Sequence, residues 1–242
     1  MPDRSGGPGA EHGRVDEARL RAAAREARQE AAPFAAAILV ANLALAAVSR
    51  RAGWELFGRS DWWLWLVVAV PSALLVATFL VGPHRLGLDH LRREVAGVTL
   101  ALVWLGTTVG VACVIVSLMH WRPGGAQLLA SAAVVLLTNV LTFSLVFWEL
   151  DDGGPVARAT ASGRTRPDFQ FPQDENPGLA RPGWGPALVD YVYVSVTNSI
   201  AFSPTDAMPL THRAKLFMGL EAGLSALTVL VVAARAINIL GS

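Results

Sequence analysis

Long apolar runs constrain this chain more than any other feature, because charged side chains are missing from most of them. Residues 62–81, 95–119 and 126–148 contain no Asp, Glu, Lys or Arg, and residues 216–240 contain only Glu221 and Arg235. Each run has at least the ~20 residues that an α-helix needs to cross the hydrocarbon core of a bilayer. The sequence therefore predicts an all-α fold, a polytopic membrane helical bundle surrounded by the lipid bilayer.

Composition supports this class and excludes others. Charged residues make up 16% of the 242 positions, whereas soluble domains carry about 25%. The net charge of +1 argues against a nucleic-acid partner. The lone cysteine, Cys113, can form neither an intrachain disulfide nor a thiolate cluster, and the five histidines show no metal-ligand spacing. We therefore expect no metal or other cofactor.

The apolar runs divide the chain into four regions. Residues 1–32 form a charged leader that contains a solvated or interfacial helix rich in Ala, Arg and Glu. Residues 33–149 form a membrane region of four helices, whose first run, 34–48, has only 15 residues and is short for a full span. Residues 150–186 form an extramembrane loop rich in Gly and Pro. Residues 187–242 form a C-terminal module.

Two aromatic residues stand out in the extramembrane loop. Phe169 and Phe171 are separated by Gln170 and followed by Pro172. Their rings are suited to docking on the membrane region or on a neighbouring subunit. A loop that is ordered only in part is the alternative interpretation.

The C-terminal module pairs a short helix with a long one. Residues 186–200 contain Asp190 and Asn198, so they predict either a short re-entrant helix buried against protein or a sixth spanning helix. A polar segment, 203–206, follows, and then the basic residues Arg213 and Lys215. The long helix of residues 216–240 closes the chain.

Several residues of this module, many of them non-apolar, match a known pattern without a gap. The matching positions are Tyr193, Ser195, Asp206, Pro209, Thr211, Ala214, Lys215, Leu220, Glu221, Ala222, Ala234 and Arg235. Over residues 193–237 the chain resembles the pore helix, filter and inner helix of the two-helix potassium channel superfamily. The resemblance covers roughly a fifth of the chain. It implies a homo-tetramer around a cation path, with residues 126–148 as the outer helix.

The chain departs from that pattern at the filter. Residues 201–205 occupy the place of the family's T-V-G-Y-G, whose backbone carbonyls replace the hydration shell of the ion. Glycine permits backbone angles that Ser203 and Thr205 resist, and Pro204 fixes its own φ. Ser225 also stands where the family often carries a glycine. A filter of the potassium type is therefore not expected.

Small polar side chains are the candidate pore-lining residues, namely Thr197, Asn198, Ser203, Thr205 and Asp206. A ring of Asp206 carboxylates from several subunits would concentrate a monovalent cation at a mouth. The alternative for residues 203–206 is a helix cap or a turn that conducts nothing.

Glu221 is the candidate structural acid. It lies in an apolar run, where an ionisable side chain is costly. The resemblance implies that it is buried behind the filter. A proton or ion relay is the alternative role.

A second resemblance is less informative about function. The order and spacing of Asp168, Phe169, Tyr193, Thr197 and Asp206 are similar to those of an uncharacterised bacterial membrane-protein family. That resemblance implies a multi-pass protein of the cell (inner) membrane without an assigned reaction.

An enzymatic function has little support in the sequence. His84 and Asp89 fit the H-x-x-x-x-D spacing of acyltransferases, but they lie in a short loop between two apolar runs. No H-E-x-x-H, G-x-S-x-G or phosphate-binding glycine loop is found. We expect that the protein is not an enzyme.

Charge and resemblance disagree about orientation. The resemblance implies that the filter loop faces outside. If residues 34–48 span, that side also holds residues 1–33, 82–94 and 149–186, which carry 6, 3 and 4 arginines, against the positive-inside rule. A first run that does not span, or a segment 186–200 that does, reduces the conflict.

The expected function is that of an integral membrane protein with an ion-channel-like pore module and a non-standard filter, which passes cations. The alternative is a non-conducting structural or sensory membrane protein that keeps the channel-like helical frame. A tetramer favours the first function, and a monomer favours the second.

Overall fold

The computed structural model describes residues 8–55, 61–80, 89–120, 124–160, 166–201 and 206–240. Its helices are α1 (Pro8–Arg51), α2 (Leu66–Leu80), α3 (Asp89–His120), α4 (Gly125–Leu150), α5 (Pro155–Thr160), α6 (Pro172–Glu175), α7 (Leu188–Ala201) and α8 (His212–Leu240). A 3₁₀ turn, Trp62–Trp65, precedes α2, and another, Asp151–Gly153, follows α4. The short strands β1 (Phe169–Gln170) and β2 (Met208–Pro209) pair antiparallel. The predicted all-α fold is confirmed.

Five helical stretches of the described ranges are long and apolar enough to cross a membrane. They are Ala22–Arg51, Trp62–Leu80, Glu94–Val116, Gly125–Gly153 and His212–Ala234. The chain thus has the architecture of a multi-pass membrane protein, as the apolar runs predicted. Helix α7 has 14 residues, which gives a length of ~21 Å. It is shorter than the ~30 Å hydrocarbon core and is not one of the five.

The first candidate span is longer than its apolar run of 15 residues indicated. Helix α1 continues through the predicted leader, and its span has 30 residues. Ala27, Ala31 and Ala35 are buried at intervals of about one turn, while Arg25 and Glu26 are exposed. These small side chains give α1 a buried face. The charged residues of the same stretch had predicted a solvated or interfacial helix.

Helix α4 lies at the centre of the bundle and contacts α1, α3, α7 and α8. Asn42 of α1 donates one hydrogen bond to Thr138 Oγ1 of α4 at 3.0 Å and another to the carbonyl of Ile38 at 2.9 Å. Hydrogen bonds between buried polar side chains of this kind help to hold membrane helices together. The central position of α4 places its last turns against both helices of the C-terminal module.

Candidate functional site

The end of α4 is joined to the start of α7 through one buried carboxylate. Asp151 Oδ1 accepts hydrogen bonds from the backbone N–H groups of Asp168 at 2.6 Å and Phe169 at 3.2 Å. Asp151 Oδ2 accepts a hydrogen bond from the Tyr191 hydroxyl at 2.6 Å. Gly153 and Gly154 have φ of 80° and 92°, a left-handed conformation that glycine adopts without strain. This turn lets the chain leave α4 while Asp151 stays buried.

A second carboxylate, that of Asp168, holds the start of α8 at the same level of the bundle as the start of α7. Both oxygens of the buried Asp168 bind the guanidinium of Arg213, with Oδ1 at 2.7 Å from Nε and Oδ2 at 2.6 Å from Nη2. Thr211 also donates to Asp168, and the Leu210 N–H donates to the Asp168 carbonyl at 2.8 Å. The paired strands β1 and β2 therefore bring residues 206–211 back to the loop that precedes α7.

Asp168 is ionised over the whole neutral range. Burial opposes its charge, but the hydrogen bonds from Arg213 and Thr211 outweigh that cost and lower the pKa of the carboxyl below its ordinary value. A lowered pKa means that ionised Asp168 stabilises the fold above the ordinary aspartate pKa. This contribution is lost as the pH falls through the lowered value.

Helices α7 and α8 consequently start at one level and run in the same direction. Ser195 lies seven positions after Leu188, at a depth of ~10 Å, and Glu221 lies nine positions after His212, at ~14 Å. These two side chains are in contact, as helices with a common starting level require. Because α8 starts at the level where α7 starts, the chain has returned to that entry level by residues 206–211.

The far part of this module holds a buried polar cluster around Glu221, whose side chain is fully buried. Asn198 Nδ2 donates to Glu221 Oε2 at 2.7 Å, and Ser199 Oγ donates to Oε1 at 3.1 Å. Ser195 Oγ contacts Oε1 and also the carbonyl of Val140 on α4, at 2.8 Å. Three polar side chains of α7 thus converge on one acid of α8.

The cluster extends from α7 to α4 through hydroxyl groups. Asn139 Nδ2 of α4 donates to Ser225 Oγ at 2.9 Å, and Ser225 Oγ lies 3.0 Å from Ser199 Oγ. Asn139 Nδ2 also donates to the backbone carbonyl of Glu221 at 3.1 Å. Helices α4, α7 and α8 are therefore joined by one hydrogen-bonded network.

The hydrogen bonds of Ser195 indicate the protonation state of the Glu221 carboxyl group. Ser195 has a single hydroxyl proton but two acceptors within reach, Val140 O and Glu221 Oε1. When Ser195 donates to Val140, its contact with Glu221 requires a proton on the carboxyl group. The neutral acid then donates to Ser195 Oγ, which suits a membrane interior where charge is costly.

The predicted pore-lining residues occupy different environments. Asp206 is exposed and accepts a hydrogen bond from the Tyr193 hydroxyl at 3.0 Å. Thr197 is half-buried and donates to the carbonyl of Tyr193 in its own helix at 2.8 Å. Asn198 is buried against α8, where it joins the predicted structural acid Glu221. The remaining two predicted residues, Ser203 and Thr205, lie outside the described residues, as does His84.

The segment that precedes α7 docks on the bundle through its aromatic residues. Phe169 packs against Phe147 of α4 with ring centroids 5.1 Å apart, and Phe171 packs against Tyr191 of α7 at 5.5 Å. Arg158 of α5 lies over the Tyr191 ring, 5.2 Å from its centroid. Of the two interpretations of Phe169 and Phe171, docking on the membrane region is confirmed.

Sequence reasoning named Asn198 and Glu221 but missed their buried partners and Asp151, for two different reasons. Ser195, Asn198 and Ser199 follow an i, i+3, i+4 pattern, which places them on one face of α7 and could have indicated a shared partner. Asp151 had no such signal, because its partners lie 17, 18 and 40 positions away. The sequence places it in the predicted extramembrane loop, where exposure to water is expected.

No group of three or more His, Cys, Asp or Glu side chains in the described part of the chain is arranged to hold a metal ion. No protein-family model, curated protein or solved structure matches this chain. The site is therefore interpreted from its own geometry.

Proposed function

We propose that several copies of this protein, as a homo-tetramer, line a path for monovalent cations across a membrane. The observation that carries the proposal is the common starting level of α7 and α8, fixed by Asp151, Asp168 and Arg213. A short helix that enters a membrane region and returns leaves polar backbone at membrane depth, which is tolerated where it is buried in protein or lines a water-filled path. Residues 206–211, which follow α7 and return to the start of α8, are the described candidates for that path.

The position of Asp206 favours a cation as the permeating ion. Its carboxylate is exposed on the returning segment and is positioned by the Tyr193 hydroxyl. Rings of carboxylates concentrate cations at a pore mouth. Residues 201–205 contain no glycine, so we propose no potassium selectivity.

An oligomer is part of the proposal because a single copy leaves apolar surface on both helices. Ile200 of α7 is 73% exposed, and Leu216 and Leu230 of α8 are 62% and 66% exposed. Such side chains contact lipid or neighbouring copies. One re-entrant segment cannot enclose a path by itself, whereas four copies around an axis can.

Replacing Asp206 with asparagine should reduce cation entry without unfolding the protein. In liposomes that contain the purified protein, rubidium uptake down a gradient is expected to fall roughly threefold or more at low ionic strength. The difference should shrink in high salt because salt screens the exposed carboxylate. Asp174→Asn, an exposed acid on α6, is the matched control and should leave uptake unchanged. Tight liposomes that take up no cation with the unaltered protein would contradict the proposal.

A non-conducting structural or sensory protein is the second candidate function. The observation that favours it is that Ser195, Asn198 and Ser199 are already bonded to Glu221 within one copy. The oligomeric mass in detergent separates the two candidates. A tetramer favours the pore, and a monomer favours the non-conducting protein.

We also propose that the entry level of α7 faces the cytoplasm. If all five candidate spans cross, one side holds residues 1–21, 81–93 and 154–211, and with them 11 of the 20 Lys and Arg residues. The other side holds few, among them Arg50 and Arg51. The positive-inside rule then assigns the first side to the cytoplasm. This orientation is opposite to the one that the channel resemblance implies.

A further inference from the structure

An open groove of about 570 Å³ lies where the end of α1 meets the start of α2. Its lining residues are Leu43, Ala46, Ala47, Arg50, Arg51, Trp62 and Leu66. The volume is within the range of small-molecule sites, ~300–1,000 Å³. The groove is remote in sequence from the C-terminal module, and the proposed pore does not use it.

One wall of the groove is formed by side chains of α1, and the other by Trp62 and Leu66 at the start of the second span. Leu43, Ala46, Ala47 and Arg50 follow a spacing of three and four residues, so they lie on one face of α1. Trp62 faces them from the turn that precedes α2. The groove is apolar along its length and basic at one end.

The basic end lies at the level where a membrane meets water. Arg50 and Arg51 form the last turn of α1 and the end of its candidate span. Trp62 and Trp63 begin the next span, as tryptophans at a membrane interface do. The Arg50 guanidinium lies 5.2 Å from the Trp62 ring centroid, a cation–π contact that holds it at the mouth of the groove.

We propose that this groove binds one anionic phospholipid. Its phosphate pairs with the guanidinium groups of Arg50 and Arg51, and its acyl chain lies along Leu43, Ala46 and Ala47. Guanidinium groups bind phosphate through two parallel hydrogen bonds. Charge complementarity selects an anionic lipid over a zwitterionic one, while a soluble phosphate would leave the apolar wall uncovered.

Native mass spectrometry of the purified protein tests this site. Phosphatidylglycerol and phosphatidylcholine with identical acyl chains are added separately, and phosphatidylglycerol is expected to bind preferentially. Arg50→Gln/Arg51→Gln should weaken phosphatidylglycerol binding roughly 30-fold, the effect of two basic side chains near an anionic surface. Arg25→Gln/Lys215→Gln removes the same charge from two other exposed positions and should keep the preference. Ala47→Trp fills the groove without changing charge and should weaken binding of both lipids.

Three results would overturn the proposal. Equal binding of the two lipids would remove the role of charge, and an equal loss in both double variants would mean that only net charge matters. Glycerol phosphate that displaces the lipid at comparable concentration would mean that the site takes a free anion. Because Arg50, Arg51 and Ala47 are exposed, all variants should keep the melting temperature of the unaltered protein, which is measured alongside.

Discussion

Replacing Asp151 with alanine is expected to lower the free energy of unfolding by about 3–5 kcal/mol, the largest effect of any single change considered. The Asp151 side chain is fully buried and accepts three hydrogen bonds, from the N–H groups of Asp168 and Phe169 and from the Tyr191 hydroxyl. Alanine leaves these three buried donors unpaired. The link between α4, the loop and α7 should be lost with them.

Asp190→Ala is the matched control for Asp151→Ala. Asp190 is half-buried and accepts a hydrogen bond from the Ala187 N–H at 2.8 Å, at the start of α7. Loss of such a cap costs about 1 kcal/mol. Unfolding in detergent, followed by tryptophan fluorescence, compares the two variants. Equal destabilisation by both changes would mean that Asp151 does not join the loop to the module.

Replacing Glu221 with alanine is expected to cost about 2–4 kcal/mol. Hydrogen bonds between membrane helices contribute about 0.6 kcal/mol each on average, and the cavity left by a buried side chain adds to their loss. Glu221 accepts hydrogen bonds from Asn198 and Ser199 and contacts Ser195. Alanine removes all three contacts at once. Ser225→Ala should cost about 1–2 kcal/mol because it removes two links of the network, to Asn139 and to Ser199, and leaves the contacts of Glu221 with α7 in place.

Glu221→Gln separates the loss of the hydrogen bonds from the loss of a charge. A glutamine amide nitrogen in the place of Oε1 can donate to Ser195 Oγ, and the amide oxygen still accepts from Asn198, so that only the hydrogen bond donated by Ser199 is lost. We therefore expect Glu221→Gln to stay within about 1 kcal/mol of the unaltered protein. If glutamine destabilises as much as alanine, Glu221 is held as a carboxylate and the neutral acid is excluded.

The spanning helices could be predicted from the sequence because their signal is local. Uninterrupted apolar runs give the same answer whatever they pack against, and α2, α3, α4 and α8 follow those runs. The first span was underestimated because its inner face consists of alanines such as Ala27 and Ala31. Their small apolar surface is hidden in the sequence by neighbouring Arg and Glu residues.

The candidate site was harder to predict from the sequence because it depends on contacts between residues that are far apart along the chain. The polar residues of the C-terminal module could be singled out individually, but not paired with one another. Asp168 and Arg213 are 45 positions apart, and Asn139 and Ser225 are 86 apart. Only the fold of the loop onto α4 brings the starts of α7 and α8 to one level.

The most direct test of this account is the side from which the two ends of the re-entrant segment can be labelled. In a Cys113→Ala background, single cysteines replace Val189, at the start of α7, and Leu210, just before α8. Both positions are exposed, at 66% and 47%. Glu55→Cys, exposed between the first two spans, reports the opposite side.

A membrane-impermeant thiol reagent is applied to sealed vesicles of each orientation. The account predicts that the cysteines at positions 189 and 210 react from the same side, the cytoplasmic one, and that the cysteine at position 55 reacts from the other. Reaction of positions 189 and 210 from the same exterior side would reverse the orientation but keep the re-entrant segment. Reaction of these two positions from opposite sides would contradict the common starting level of α7 and α8, and with it the proposed pore.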